Sequence, residues 1–364
     1  MYLALRDLRF AKGRFVLMGG VVALITLLLV LLSGLTAGLG NQSTSALAAL
    51  PADQIVFGAP AGDSAKASFT ESEVTRGQWS EWASREGVAQ AELLGISQSR
   101  FQAIGPAGTP SGTASVAVFG TEGTRLAPAP AAEGTVVIGS SLAKELELQA
   151  GSLATVGGTE LTVSAVVPDQ WYSHTGVVWT TLADWRKLAH ITGTEAAATV
   201  IAVTSDDGPV VDADAANAAA GTVSTTRDGS FQALGSYKSE NGSLVLMQAF
   251  LYGISALVIV AFLTVWTVQR TRDIAVLKAL GGSSGYVLKD AMVQAAIVLL
   301  AGAVAGGAAG VAGGVLAAGA APFLLTPQTI LLPVVGIVVL GLAGAVLAVR
   351  SITRVDPLLA LGGN

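Results

Sequence analysis

Three stretches of more than 28 residues carry no charged side chain: residues 15–52, 241–269 and 291–349. A bilayer crossing needs about 20 consecutive apolar residues as helix, because in hydrocarbon every backbone N–H and C=O must find its partner within the segment. The first two stretches each hold one such span, at 15–39 and 244–268. The third is long enough for two, and Pro322-Phe-Leu-Leu-Thr-Pro327 divides it into spans at 287–319 and 330–349. With 52% hydrophobic and 12% charged residues, the composition agrees. The expected fold is that of a membrane protein with four transmembrane α-helices.

Orientation follows from the basic residues beside the spans, which stay on the cytoplasmic side. Arg6, Arg9, Lys12 and Arg14 precede the first span, Arg270, Arg272, Lys278 and Lys289 lie between the second and third, and Arg350 and Arg354 follow the fourth. Both termini are then cytoplasmic and residues 40–243 lie outside. That outer region has 10 Lys+Arg against 21 Asp+Glu, a net charge of −11, while the rest carries +6, together the −5 of the whole chain. Ala46-Leu-Ala48 has the small residues of a signal-peptidase site, but the apolar core before it is longer than a signal peptide needs, so an uncleaved anchor is expected. The chain has no cysteine, so the outer region must hold together by its own core, and about 200 residues suffice for one.

Residues 1–14, MYLALRDLRFAKGR, mix Tyr2, Leu5 and Leu8 with basic residues and read as an amphipathic helix on the inner leaflet. The outer region alternates short apolar strands (DQIVFGA, SVAVFGTE, TVIAVTS) with helical stretches such as RGQWSEWASREG. TVVIGSSLAKELEL reads as a strand followed by a serine-initiated helix, and TGVVWTTLADWRKLA as a strand followed by a helix. LATVGGTELTVSAVV reads as a hairpin turning at Gly157-Gly158. An α+β extracytoplasmic domain inserted between helices 1 and 2 is expected, with both helices continuing outward as stalks. In the third span Gly302, Gly306, Gly310 and Gly314 recur every four residues, and Gly336, Gly341 and Gly344 give the fourth a looser strip. Such strips let another helix approach closely, and bundle packing is their expected role.

No stretch matches the nucleotide-binding G-x-x-x-x-G-K-[ST] loop, and His174 and His190 are the only histidines, so no Cys/His metal spacing exists. The chain is not expected to be an enzyme, and energy for work against a gradient must come from a partner. The segment after the second span, Val268-Gln-Arg-Thr-Arg-Asp-Ile-Ala-Val-Leu-Lys-Ala-Leu-Gly281, carries more than the positive charge a stop-transfer signal needs. As a helix it puts Ile274, Leu277 and Gly281 on one face with Ala275 and Ala279 beside them, and offers Arg272, Asp273 and Lys278 for charged contacts. Gly281-Gly282 can end that helix through a left-handed residue.

One span, a large outer domain and three further spans resemble the FtsX-like permease family, also called MacB-type or type VII ABC transporters. QRTRDIAVLKALGGSSGYV is similar to that family's segment R-x-R-E-I-A-V-L-K-A-L-G, with Asp273 where glutamate is usual. The terminal RSITRVDPLLAL resembles its closing motif, and VVIGSSLAKELEL and ELTVSAVVPD are similar to pieces of its outer domain. The resemblance implies that residues 269–286 form a cytoplasmic coupling helix seated in a groove of a separate ATPase subunit, with Arg270, Arg272, Asp273, Ile274, Ala275, Leu277, Lys278 and Gly281 as its coupling residues. It further implies a homodimer with two ATPase subunits that bind the ATP and Mg, embedded in membrane lipid, with no nucleic-acid partner and no intrinsic cofactor. The stroke serves efflux of drugs or antimicrobial peptides, lipoprotein extraction, or mechanotransmission to cell-wall hydrolases in different members.

Within the family, VVPDQWYSHTGVVWTTLADWRKLA looks most like the HrtB-type haem-exporter permeases of Gram-positive bacteria, which implies haem as transported ligand, taken from the outer leaflet of the cytoplasmic membrane. Haem iron accepts His, Tyr or Met, and propionates favour cationic or amide donors. Tyr172 and His174 share a polar turn between strands. Tyr237, Lys238 and Glu240 precede the second span, Met247 and Phe250 lie on its first turns, and Asn41 and Gln42 end the first. Tyr172, His174, Tyr237, Glu240, Met247, Phe250 and Asn41 are therefore the candidate haem-binding residues. Tyr237 also stands where a tyrosine serves simply as an interfacial anchor, His174 where a solvated turn residue would, and His190 is expected to be structural.

Overall fold

The computed structural model describes residues 12–60, 62–105, 108–191, 196–206, 210–269 and 283–352. The N-terminal amphipathic segment up to residue 11, the coupling segment 270–282 and the tail from residue 353 lie outside the described residues. The described helices are α1 Lys12–Ala48, α2 Arg76–Ala83, α3 Ser140–Glu145, α4 Leu182–Leu188, α5 Ala213–Ala220, α6 Gly235–Gln269, α7 Ser284–Ala317 and α8 Pro327–Ile352. Four of them, α1, α6, α7 and α8, are long and apolar enough to cross a membrane. The chain divides into two compact units, residues 1–39 with 242–364, and residues 40–241.

In the first unit Val22, Leu29, Ile259, Leu263, Leu299 and Ile337 fill the space between the four helices. Lipid tails are as apolar as leucine, so helix association there relies on close packing and hydrogen bonds. The α7 glycine strip supplies the first: a Cβ at Gly302 would lie 2.7 Å from the Gly19 carbonyl oxygen, at Gly310 2.9 Å from Val30, and at Gly306 inside the Ala23 backbone. The strip thus lies directly on α1 of the same chain. Gln248 Nε2 supplies the second, donating to Thr36 Oγ1 across α6 and α1 at 3.0 Å. The loop between α7 and α8 crosses α1 as well, with the Leu324 N–H donating to the Gly34 carbonyl at 3.1 Å.

The second unit is built on a ten-stranded sheet. The strands are β1 Gln54–Phe57, β2 Val74–Thr75, β3 Val88–Ile104, β4 Pro110–Thr121, β5 Thr135–Gly139, β6 Leu153–Val156, β7 Thr159–Val167, β8 Trp171–Tyr172, β9 Thr175–Thr181, β10 Ala196–Ala198, β11 Val200–Ser205 and β12 Val223–Thr226. Six of them, β3-β4-β9-β5-β7-β6, pair in a ring that closes back on β3. From the other end of β3 a branch runs out through β11, β1 and β12, while β2 and β10 form a separate pair. One edge of β3 therefore serves two partners: residues 88–94 pair with β11 and residues 101–103 with β6. Between them Thr199 Oγ1 accepts from the Ile96 N–H at 2.8 Å and lies 3.2 Å from the Ile96 carbonyl, doing locally what a strand would.

Alternate residues along the strands enter different cores, as the two-residue period requires. Val116, Val118, Val136, Ile138 and Val178 join Trp82, Phe101 and Trp185 on one side. Ala117, Phe119, Val137 and Trp179 join Phe57, Phe69 and Tyr172 on the other, where Ala46, Leu47 and Leu50 from the end of α1 also pack. Burial on both faces explains why SVAVFG and TVVIG read as continuous apolar runs rather than alternating ones.

At the fork of β3, Gly95 faces Gly120 of β4, and α4 seats Trp185 on this pair. A Cβ at Gly95 would fall within the indole ring and one at Gly120 onto the first atoms of the same side chain. Trp185 Nε1 donates to Ser97 Oγ at 3.1 Å, so the ring is fixed at its polar end too. The hairpin at Gly157-Gly158 forms as expected, with φ of +55 and +86, the positive values a two-residue type I′ turn demands. One local expectation changes: α3 starts at Ser140, yet no serine caps it. Asp169 does so from the end of β7, accepting from the Ser141 N–H at 2.8 Å. His190 has φ +54 just past α4, where the Ile191 N–H returns to the Arg186 carbonyl at 3.0 Å, so it is a helix stop.

Two substitutions test these close approaches in the full-length protein. Gly95→Ala drives a methyl into a buried indole, and Gly306→Val drives a side chain into helix backbone; each should cost about 3 kcal/mol of stability. Melting in detergent should show both, whereas Ala305→Val, on the exposed face of α7, should leave the transition where it was.

Candidate functional site

Most of the candidate ligand residues fall in the second unit around the turn from β8 to β9. Tyr172 pairs with Thr175, which leaves Ser173-His174 as a two-residue turn with φ of +49 and +63. This backbone suits Asn-Gly, and a non-glycine residue held there costs of order 1–3 kcal/mol. The Gly157-Gly158 turn of the same sheet meets that demand with glycines; Ser173-His174 meets it with partners.

Those partners are on the ends of α1 and α6 that belong to this unit. The N–H groups of Ser173 and His174 donate to the carbonyls of Ser43 and Gln42, both at 3.0 Å, and the Trp171 N–H donates to Ser45 Oγ at 2.9 Å. Ser173 Oγ lies 3.2 Å from Ser236 Oγ. His174 Nε2 lies 2.9 and 3.1 Å from the two Glu240 oxygens and 3.1 Å from Ser43 Oγ. A carboxylate only accepts, so Nε2 is the nitrogen that carries hydrogen, and it has no lone pair to offer iron in this arrangement.

Tyr172 is not a polar-turn residue as the sequence suggests. Its side chain is 5% exposed and its ring meets Phe119 edge-on at 5.3 Å and Phe69 at 5.9 Å. Burial also pushes its phenol well above the usual tyrosine range, so the phenolate that would bind iron is disfavoured. The β-pairing of Tyr172 decides this, since alternation turns its ring inward and leaves the turn to its neighbours. Tyr237 packs partly buried against Phe231, rings 6.1 Å apart, and its edge would lie 3.6 Å from a Cβ at Gly40. Asn41 is exposed on α1. In the first unit Met247 is 50% and Phe250 64% exposed, one helical turn apart on α6.

In the second unit the candidates separate into a buried aromatic anchor (Tyr172) and a polar cluster (Ser43, Ser173, His174, Ser236, Glu240); in the first unit Met247 and Phe250 are open apolar side chains. Ser43, Ser45 and Ser236 were not singled out from sequence, although the polar run Asn41-Gln-Ser-Thr-Ser45 after a span is visible there. The coupling residues Arg270, Arg272, Asp273, Ile274, Ala275, Leu277, Lys278 and Gly281 all lie outside the described residues. No group of three or more metal-ligating side chains occurs among the described residues.

Residues 245–357 match the FtsX-like permease C-terminal family. A putative hemin transport system permease protein HrtB of Staphylococcus haemolyticus is 23% identical over 369 residues, spanning 100% of this chain and 99% of that protein. Its namesake in a Staphylococcus epidermidis strain is 30% identical over 145 residues, 40% of this chain and 41% of that one. The crystal structure of the periplasmic region of MacB from Actinobacillus actinomycetemcomitans aligns over 50% of this chain and 92% of its own, at 13% identity and a TM-score of 0.35.

The burial of Tyr172 separates a packing role from a ligand role. Tyr172→Phe should keep the melting temperature near the wild-type value, while Tyr172→Ala should lower stability by about 3–5 kcal/mol in thermal melting. Residues 245–357 carry the FtsX-like permease C-terminal domain, and the chain is a cytoplasmic-membrane protein with four helices long and apolar enough to cross it and a sheet domain between the first and second.

Proposed function

We propose that this chain is a permease that expels haem from the outer leaflet of the cytoplasmic membrane, driven by separate ATPase subunits that engage residues 269–286 of two copies of the chain. The observation that carries the reading is the end-to-end correspondence with a protein named for hemin transport, which runs through the outer domain as well as the permease domain. The exposed side chains of α6 suit such a cargo. Haem offers a flat apolar face and a soft-ligand site at iron, and Met247 and Phe250 present a thioether and a ring on the first turns of the second membrane helix. His174 Nε2 is held by Glu240, which leaves Nδ1 as the ring nitrogen that could meet iron, and on this reading Met247 is the ligand that the second membrane helix itself offers.

The chain holds no nucleotide-binding loop, so the work is done by a partner that binds ATP and Mg. The sequence of residues 269–286, with its apolar positions at helical spacing and its Gly281-Gly282, suits a groove on that partner, and a buried carboxylate there would cost several kcal/mol. Purified protein titrated with haem should show a shifted Soret band, weakened by Met247→Ala, and the reconstituted complex should hydrolyse ATP faster with haem present. Leu277→Asp should abolish efflux and leave haem uptake intact. Absence of any Soret shift at stoichiometric haem, with protection of cells against an amphipathic drug or peptide instead, would reassign the cargo.

A further inference from the structure

The turn between β8 and β9 touches both helices that run on into the first two membrane spans, and it does so unequally. Towards α1 it uses backbone: the N–H groups of Ser173 and His174 go to helix carbonyls, and that of Trp171 to Ser45 Oγ. Such bonds do not depend on the turn's side chains. Towards α6 it uses side chains only, Ser173 to Ser236 and His174 to Glu240. His174 Nε2 meets both helices, through Ser43 and Glu240. Behind the turn, Tyr172 roots the hairpin between Phe69 and Phe119.

The apolar contact beside this cluster is of a different kind. Tyr237 of α6 rests on Gly40 of α1, and a ring against a glycine is a smooth, non-directional contact that resists separation more than sliding. Directional bonds at His174 are what give α6 a definite position against α1. The left-handed backbone at Ser173 and His174 supports this, because a turn selected only for its own stability would carry glycine there.

We propose that the β8–β9 turn is a clasp, fixed to α1 and releasable from α6 at the His174–Glu240 contact, and that His174 is the positioning residue through which movement of the two helices reaches the outer sheet. The proposal rests on the reading of the chain as a driven permease, but not on haem as the cargo. Half-exposed side chains suit a contact that must open and re-form: 32% of the His174 and 42% of the Glu240 side chain is accessible, so water can replace either partner.

The chain has no cysteine, so spin labels can be placed freely. Labels at Ala48→Cys on α1 and Gly242→Cys on α6, both exposed, report the spacing of the helices in the full complex with its ATPase subunits in lipid nanodiscs. Wild type should give one narrow distance distribution without nucleotide and a shifted one with ATP. His174→Ala should broaden the first and blur the shift, and His174→Gln, whose amide can still donate to Glu240, should restore both. Haem export should fall about tenfold in His174→Ala while ATP hydrolysis stays near wild type. An unchanged distribution in His174→Ala overturns the clasp, and so does a loss that Gln fails to restore alongside a lowered melting temperature. If wild type itself exports no haem, the cargo assignment fails, and the distance measurement still decides the clasp.

Discussion

Backbone groups along a buried strand must all be paired, and in this outer domain β3 does so by dividing one edge between two partners. The division works because Gly95 and Gly120, facing each other across β3 and β4, leave a hollow that Trp185 fills. The indole packs onto β3 and β4 near the place where the ring of six strands leaves the branch through β11, β1 and β12, and Thr199 supplies the hydrogen bonds that neither partner strand can reach. The rest of the unit follows from that fork. Two cores lie on opposite faces of the same strands, one around Trp82 and Trp185, the other around Phe119 and Tyr172.

The membrane unit solves a different problem. Hydrophobic burial gives little net attraction between helices already in hydrocarbon, so proximity and a few polar contacts must suffice. The glycines of α7 let it lie directly on α1, and Gln248 with Thr36 adds a hydrogen bond where an unpaired amide would be costly. The remaining apolar side chains of α6, Phe250 and Leu257 among them, stay open.

Residues that look alike in sequence end up with separate duties. Tyr172 and His174 are two positions apart, yet one is an aromatic anchor in the core and the other bonds to helices on the surface. Placing both on iron would require the strand to abandon its alternation. Glu240, which by sequence is a charge at the mouth of a charge-free span, is a hydrogen-bond partner for the turn.

The charge-free stretches, the basic flanks and the segment at 268–281 determine by themselves that this chain spans a membrane four times, which side is which, and what kind of transporter it resembles. Those are properties of composition and local order, because a bilayer tests each segment separately for apolar length. Short strands and helices such as TVVIGSSLAKE were legible for the same reason, since their periods are local. Tertiary structure alone decided the rest. The 17-residue β3 carries Gly95 and many polar residues, so no apolar period marks it; its pairings with β4, β6 and β11 make it a strand. Ser43, Ser236, His174 and Glu240 are up to about 200 residues apart, and only the closing of the β8–β9 turn onto α1 and α6 brings them within hydrogen-bonding distance, because such bonds depend on spatial position and not on sequence spacing.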